Sequence, residues 1–185
     1  MEPKNNGTID GDVRVNAENT GSIVTVAGAL AVAVSAGGMG AGASVGVSVA
    51  ISDITTVVKA LVDSAVIRTR AGSQGVTVSA SDTAAITAVA VGGAVSVQAG
   101  SAGVAIAVGT SVAVNKVFNT VHAQIQGGRI ETGGAALTVS ATQQADITSV
   151  VLGASVAVSV GDSANAAIGG GGALARNVIS ASVQA

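Results

Sequence analysis

The chain has no cysteine, tryptophan or tyrosine, and a single phenylalanine (Phe118), a single histidine (His122) and a single proline in 185 residues. Each shortage removes a class of explanation. Without cysteine there is no disulfide framework and no thiolate metal site. With one aromatic ring, neither the aromatic girdles of a porin-type barrel nor an aromatic platform for carbohydrate can be built. Charge is equally sparse: 10% of the residues are charged, against about a quarter in an ordinary globular domain. The formal net charge of −2 offers no basic field to nucleic acid or to anionic headgroups, so nucleic-acid binding is not expected. The opening Met1-Glu2-Pro3-Lys4-Asn5-Asn6-Gly7 has no apolar signal core; if the parent protein is exported, this chain is a fragment of it.

What is present is a repeat. Val13-Arg14-Val15-Asn16-Ala17 with Ile23 returns as Val76-Thr77-Val78-Ser79-Ala80 with Ile86, and again as Leu137-Thr138-Val139-Ser140-Ala141 with Ile147. The offsets are 76 − 13 = 63 and 137 − 76 = 61. Val58-Lys59-Ala60 matches Val121-His122-Ala123, and Ser52 matches Asn115, both at 63. The division that follows is a lead-in over 1–12, repeat 1 over 13–75, repeat 2 over 76–136 and a shortened repeat 3 over 137–185, forming one continuous repeat domain. A long-period repeat is one supersecondary unit stacked on its copies, so neighbouring repeats of the same chain are the first partners.

The unit is built of strands. Val104, Ile106, Val108, Thr110, Val112 and Val114 alternate with Ala105, Ala107, Gly109, Ser111 and Ala113; Val89, Val91, Val95 and Val97 oppose Ala88, Ala90, Gly92, Ala94 and Ser96. Period-2 alternation rich in β-branched residues specifies strand. Each unit thus holds two long strands, such as 86–97 and 103–115, joined by a Gly/Ser-rich turn. A more polar part follows with turns at Gly127-Gly128 and Gly133-Gly134. The expected class is all-β: a β-helix-like repeat solenoid with the Val face in the core and the Ala/Gly/Ser face smooth. The alternative is an antiparallel hairpin-stacked repeat, because both need the same alternation. Residues 83–115 contain no Asp, Glu, Lys or Arg, enough for a membrane helix by hydropathy, but the period and the glycines are wrong for a helix.

Val-Thr-Val-Ser-Ala at 76–80, Ile-Thr-Ala-Val-Ala-Val-Gly-Gly-Ala-Val-Ser-Val at 86–97, Ser-Val-Ala-Val-Asn at 111–115 and Asn-Thr-Val-His-Ala-Gln-Ile at 119–125 resemble the β-strand repeats of giant secreted bacterial surface proteins. These are of the filamentous hemagglutinin-like adhesin and large repetitive leukotoxin type. The resemblance runs from about Val13 to Ala185. It implies an extracellular, cell-surface, non-enzymatic module of a longer array, and transfers no catalytic or ligand residue.

The candidate chemistry is thin. His122 shares a matched position with Lys59 and Ser180 on this reading, which makes it a solvent-facing site without metal partners. Asp82 and Asp146, with Asn19 near the same place, read as carboxylates bonding local backbone beside a turn. They lie in different repeats and do not make an acid/base pair. Asp10-Gly11-Asp12 lacks the nonapeptide context of calcium-binding β-rolls. Gly169-Gly170-Gly171-Gly172 lacks the Lys-Ser/Thr of a phosphate loop and reads as a flexible turn. Arg68, Arg70 and Lys59 make a small basic spot, and Asn115, Asn119 and Asn177 read as edge asparagines bonding backbone. No catalytic, cofactor or metal residues are assigned. The functional expectation is a structural or adhesive module acting as a stiff stalk or self-associating scaffold, as a homo-oligomer or fibre or on a host or cell-surface ligand. The alternative is a membrane-inserting β-hairpin segment of a pore-forming, leukotoxin-like protein, its Val face to lipid. The missing aromatic girdle weighs against membrane insertion.

Overall fold

A computed structural model describes residues 11–185, and they form strands and turns with no helix. The strands are β1 (Val13–Asp63), β2 (Val66–Arg68), β3 (Val76–Gln126), β4 (Arg129–Glu131), β5 (Leu137–Val160) and β6 (Asn165–Gln184). All pairing is parallel. β3 lies between β1 on one side and β5 and β6 on the other, while β2 pairs β4 in a small second sheet. Every partner of β3 is its own equivalent in the adjacent unit, from Val13↔Val76 to Asp63↔Gln126. Parallel pairing between units removes the hairpin alternative, in which the two long strands of one unit would pair with each other.

β1 and β3 are not straight. Twenty-seven residues of extended strand would separate Thr25 from Ser52 by about 90 Å, yet their hydroxyls lie 2.8 Å apart. Each long strand therefore doubles back at a tip, near Ala36–Met39 in the first unit and Ala99–Ala102 in the second, and its two legs face one another. The ladder to the next unit continues round the tip, which is why one strand covers both legs. In the third unit the tip is Gly161-Asp162-Ser163-Ala164, between β5 and β6. The Gly169–Gly172 run is no turn at all: it lies within β6, paired with Ala107–Thr110.

The facing surfaces come in two zones. In the base zone, far from the tip, β-branched residues point inward: Val76, Val78, Val121, Val58 and Val62 form a buried cluster with Ile67 of β2, flanked by Val13, Val15, Val139 and Ile130. Thr77, Ser79 and Ser81 point outward. Nearer the tip the order is reversed. Ala88, Ala90, Ala105, Ala107 and Ala113 are fully buried, whereas Val91, Val104 and Ile106 of the same central unit are 42%, 38% and 38% exposed. The expectation of a Val core with a smooth small-residue exterior is thus corrected: in the tip zone the small face is the interior.

The cause is backbone proximity. A β-carbon on Gly92 would lie 2.1 Å from the Thr110 carbonyl oxygen, and one on Gly46 would lie 2.0 Å from that of Gly93. Legs this close leave room only for Ala, Gly and Ser between them. Two serines also tie the legs together, Ser96 Oγ donating to Gly42 O at 2.8 Å and Ser111 Oγ to Leu152 O at 2.6 Å.

Candidate functional site

Where the two zones meet, polar side chains span the interior in two tiers. Asp82, 2% exposed, accepts from Asn19 Nδ2 at 2.7 Å and from Asn119 Nδ2, and Asn119 Oδ1 accepts from Thr56 Oγ1 at 2.8 Å. Nearer the tip, Asn115 Nδ2 donates to Ser149 Oγ at 2.7 Å and to Asn177 Oδ1 at 3.0 Å, and Ser149 Oγ donates to Asn177 Oδ1 at 2.8 Å. Between the tiers sit Ile86 and Val117, packed with Ile23, Ile54 and Ile147. Buried polar groups need partners, and these tiers supply most of them across both legs and between units, leaving Asn115 Oδ1 and Gln143 Nε2 without one. They fix leg-to-leg alignment as well as unit-to-unit register.

This arrangement corrects the sequence reading of several residues. Asp82 is not beside a turn and bonds side-chain amides, and its register partners are Asn19 and Gln143. Asp146 pairs with Ala85 and faces outward. Asn115 and Asn119 bond side chains inside the stack, and Asn177, exposed on the outer strand β6, bonds side chains and not backbone. The partners of His122 are Lys59, as expected, and Gln184; Ser180 pairs with Phe118. Ser180 lies four residues before Gln184 (184 − 180 = 4); the first leg of the third unit is offset by 61 and the second by 62, the extra residue being taken up at the tip.

The remaining candidates are peripheral. His122 and Lys59 border a groove of about 190 Å³ with Gln124 and Gln126, without a carboxylate. A cavity of about 490 Å³ is lined by Ala123, Gln124, Ile125, Leu137, Val139, Gln184 and Ala185, none of them titratable side chains. Asp10 lies outside the described residues. Asp12 accepts from the Gln74 backbone N at 2.8 Å and pairs with Arg14 at 3.6 Å, so its carboxylate closes a turn between units. Arg68 pairs with Glu131 at 2.9 Å, and Arg129 bonds the same carboxylate. Arg129, and then Arg68, hold Glu131 below the usual carboxylate range. Among the described residues, no three His, Cys, Asp or Glu side chains are grouped to hold a metal ion.

The feature sequence reasoning missed is the pair of outward apolar surfaces. On the first legs these carry Val24, Val26, Leu30, Val32 and Val34, then Val89, Val91, Val95 and Val97, then Val150, Leu152, Val156, Val158 and Val160; on the second legs Val45, Val47, Val49 and Ile51, then Val104 through Val114. A signal for them was present. Ile86 shares strand parity with Ala88 and not with Val89, so the apolar face changes sides between 86 and 89.

No family model, curated protein or solved structure matches this chain.

Proposed function

We propose that the chain is a β-solenoid-like module of a longer array in an extracellular, bacterial surface protein, with a non-enzymatic, scaffolding role. The observation that carries this reading is the ladder itself: residue for residue, β3 meets its own equivalents on both sides. Such a unit has no reason to stop at one copy, and both outer ladders of the stack present unpaired strand edges that accept a further unit or another molecule. The polar tiers support it by penalising any slipped register.

The dimensions favour a ribbon over a stalk. Each added unit lengthens the stack by about 4.8 Å, whereas a leg of two dozen residues is about 80 Å long. Sixty-three residues per 4.8 Å is a poor way to gain reach but an effective way to make two broad faces. Adhesion or self-association is then a property of faces and edges.

The test is a tandem series carrying one, two and four additional copies of residues 76–136, examined by electron microscopy and small-angle scattering. The expected result is a constant width with thickness growing by about 4.8 Å per unit and a β-type far-UV circular dichroism spectrum. Particles that lengthen along the leg direction, or a helical spectrum, would overturn the proposal.

A further inference from the structure

The tip zone is built inside-out for water. Its two outer faces are apolar, its interior is built of small residues, and its charges are confined to Arg176 and Asp162. No Asp, Glu, Lys, Arg or His occurs between Glu18 and Asp53, between Asp82 and Lys116, or between Asp146 and Asp162. Those intervals are noncontiguous in no structural sense: in every unit they fold into the same tip zone. Charged residues resume together at its lower border, with Asp53 register-paired to Lys116 and Asp146 lying exposed on the opposite legs. Arg176 sits in the lowest apolar row, opposite Val114, and Asp162 sits at the third tip.

The height of the apolar band is the second observation. Val24 to Val34, Val104 to Val114 and Val150 to Val160 each cover ten residue steps, about 33 Å of strand, against a hydrocarbon core of about 30 Å. From these features we infer that the tip zone is a bilayer-inserting wedge, with legs along the membrane normal, stacking axis in the membrane plane and base zone in water. The occupant of the apolar faces is lipid hydrocarbon.

Three further features select lipid over a protein partner. Two opposite faces are apolar at the same height, and one protein partner covers one face. Side chains interchange without regard to shape, Leu30 with Gly93 and Val91 with Leu152, which suits a fluid contact. Ser96, Ser111 and Ser159 direct their hydrogen bonds between legs and units: Ser96 to Gly42 O, Ser111 to Leu152 O, Ser159 to Gln98 Oε1. Along the stack each backbone group meets the next unit, as a lipid-exposed sheet requires. Only the two end edges are left, so the inserted species is a stack of several copies or a longer array. The missing aromatic girdle, which weighed against insertion from sequence, excludes a porin-type interface and leaves this wedge intact.

The absence of cysteine makes the test clean. Val91→Cys in the apolar band and Thr77→Cys on the outer face of the base are each labelled with an environment-sensitive fluorophore and mixed with phosphatidylcholine vesicles. The expected result is a vesicle-dependent blue shift at position 91, with quenching by lipid-borne doxyl groups, while the label at 77 stays open to iodide. The double variant Val91→Asp/Val95→Asp, whose side chains point away from the interior, is expected to keep the β-type spectrum and lose vesicle flotation at least roughly tenfold. Iodide-accessible labels at both positions with vesicles present would overturn the inference. So would a blue shift at 91 that needs no vesicles and grows with protein concentration, which would assign the faces to a second copy.

Discussion

A β-carbon on Gly109 would lie 2.0 Å from the Ala154 carbonyl oxygen, whereas one on Gly28, on an outer face, would meet nothing within 4 Å. The two positions separate glycine as a requirement from glycine as a composition. Gly109→Ala is expected to destabilise by about 3 kcal/mol or more, because the facing backbone has nowhere to go. Gly28→Ala is expected to stay within about 0.5 kcal/mol of the parent, and denaturant melts of the two variants check the contrast. Ser64 poses the opposite case. It has φ 51° at the turn position equivalent to Gly127, 127 − 64 = 63, where φ is 59°. Ser64→Gly is expected to stabilise by up to about 1 kcal/mol, by removing the β-carbon clash of the left-handed conformation, read as a higher melting midpoint. The hydroxyl of Ser64 bonds only the exposed Asp63 carboxylate, so little is lost with it.

At the scale of the strand, period 2 and turn chemistry were legible while the choice of inner face was not. The Gly127-Gly128 and Gly133-Gly134 turns lie where the glycines mark them, all with positive φ, and the matches of Lys59 with His122 and Ser52 with Asn115 are register pairs. Alternation alone states that two faces differ. Which one is buried depends on how closely the legs approach, a long-range distance that no local window contains. The usual rule that Val goes inside holds for Val76 and Val121 and fails for Val91 and Val104. The polar tiers were hidden for the same reason: Asp82 and Asn119 are 37 residues apart and meet only because the strand doubles back. Protection should follow the same geometry. Amide hydrogen exchange is expected to be slowest in the central strand β3, paired on both sides, and faster in β1, β5 and β6, which have one partner each. Uniform protection across the three units would contradict that order.

For the whole molecule, stability comes from different sources at its two ends. The base zone has an ordinary apolar core in Val76, Val78, Val121 and Ile67, so it carries most of the hydrophobic stabilisation available in water. The tip zone buries alanine and glycine, gains little from that burial, and turns its Val and Leu side chains to the surroundings. Exposed apolar surfaces of this extent are not left bare in a stable soluble monomer. The all-β class and the 63- and 61-residue offsets could be read from sequence because they depend on alternation and repetition, which are visible along the chain. The two-zone character depends on which leg faces which. The ladder also has a genetic consequence. Because each residue stacks on its own equivalent, unequal exchange between neighbouring copies of the coding repeat adds or deletes whole units and leaves every surviving interface unchanged. The existing departures fit this pattern, since the two-residue shortening between β4 and β5 and the one-residue gain before β6 fall in turns. Copy number is the quantity such a gene is free to vary, and an out-of-step deletion of one residue inside a leg is the kind of change it is not.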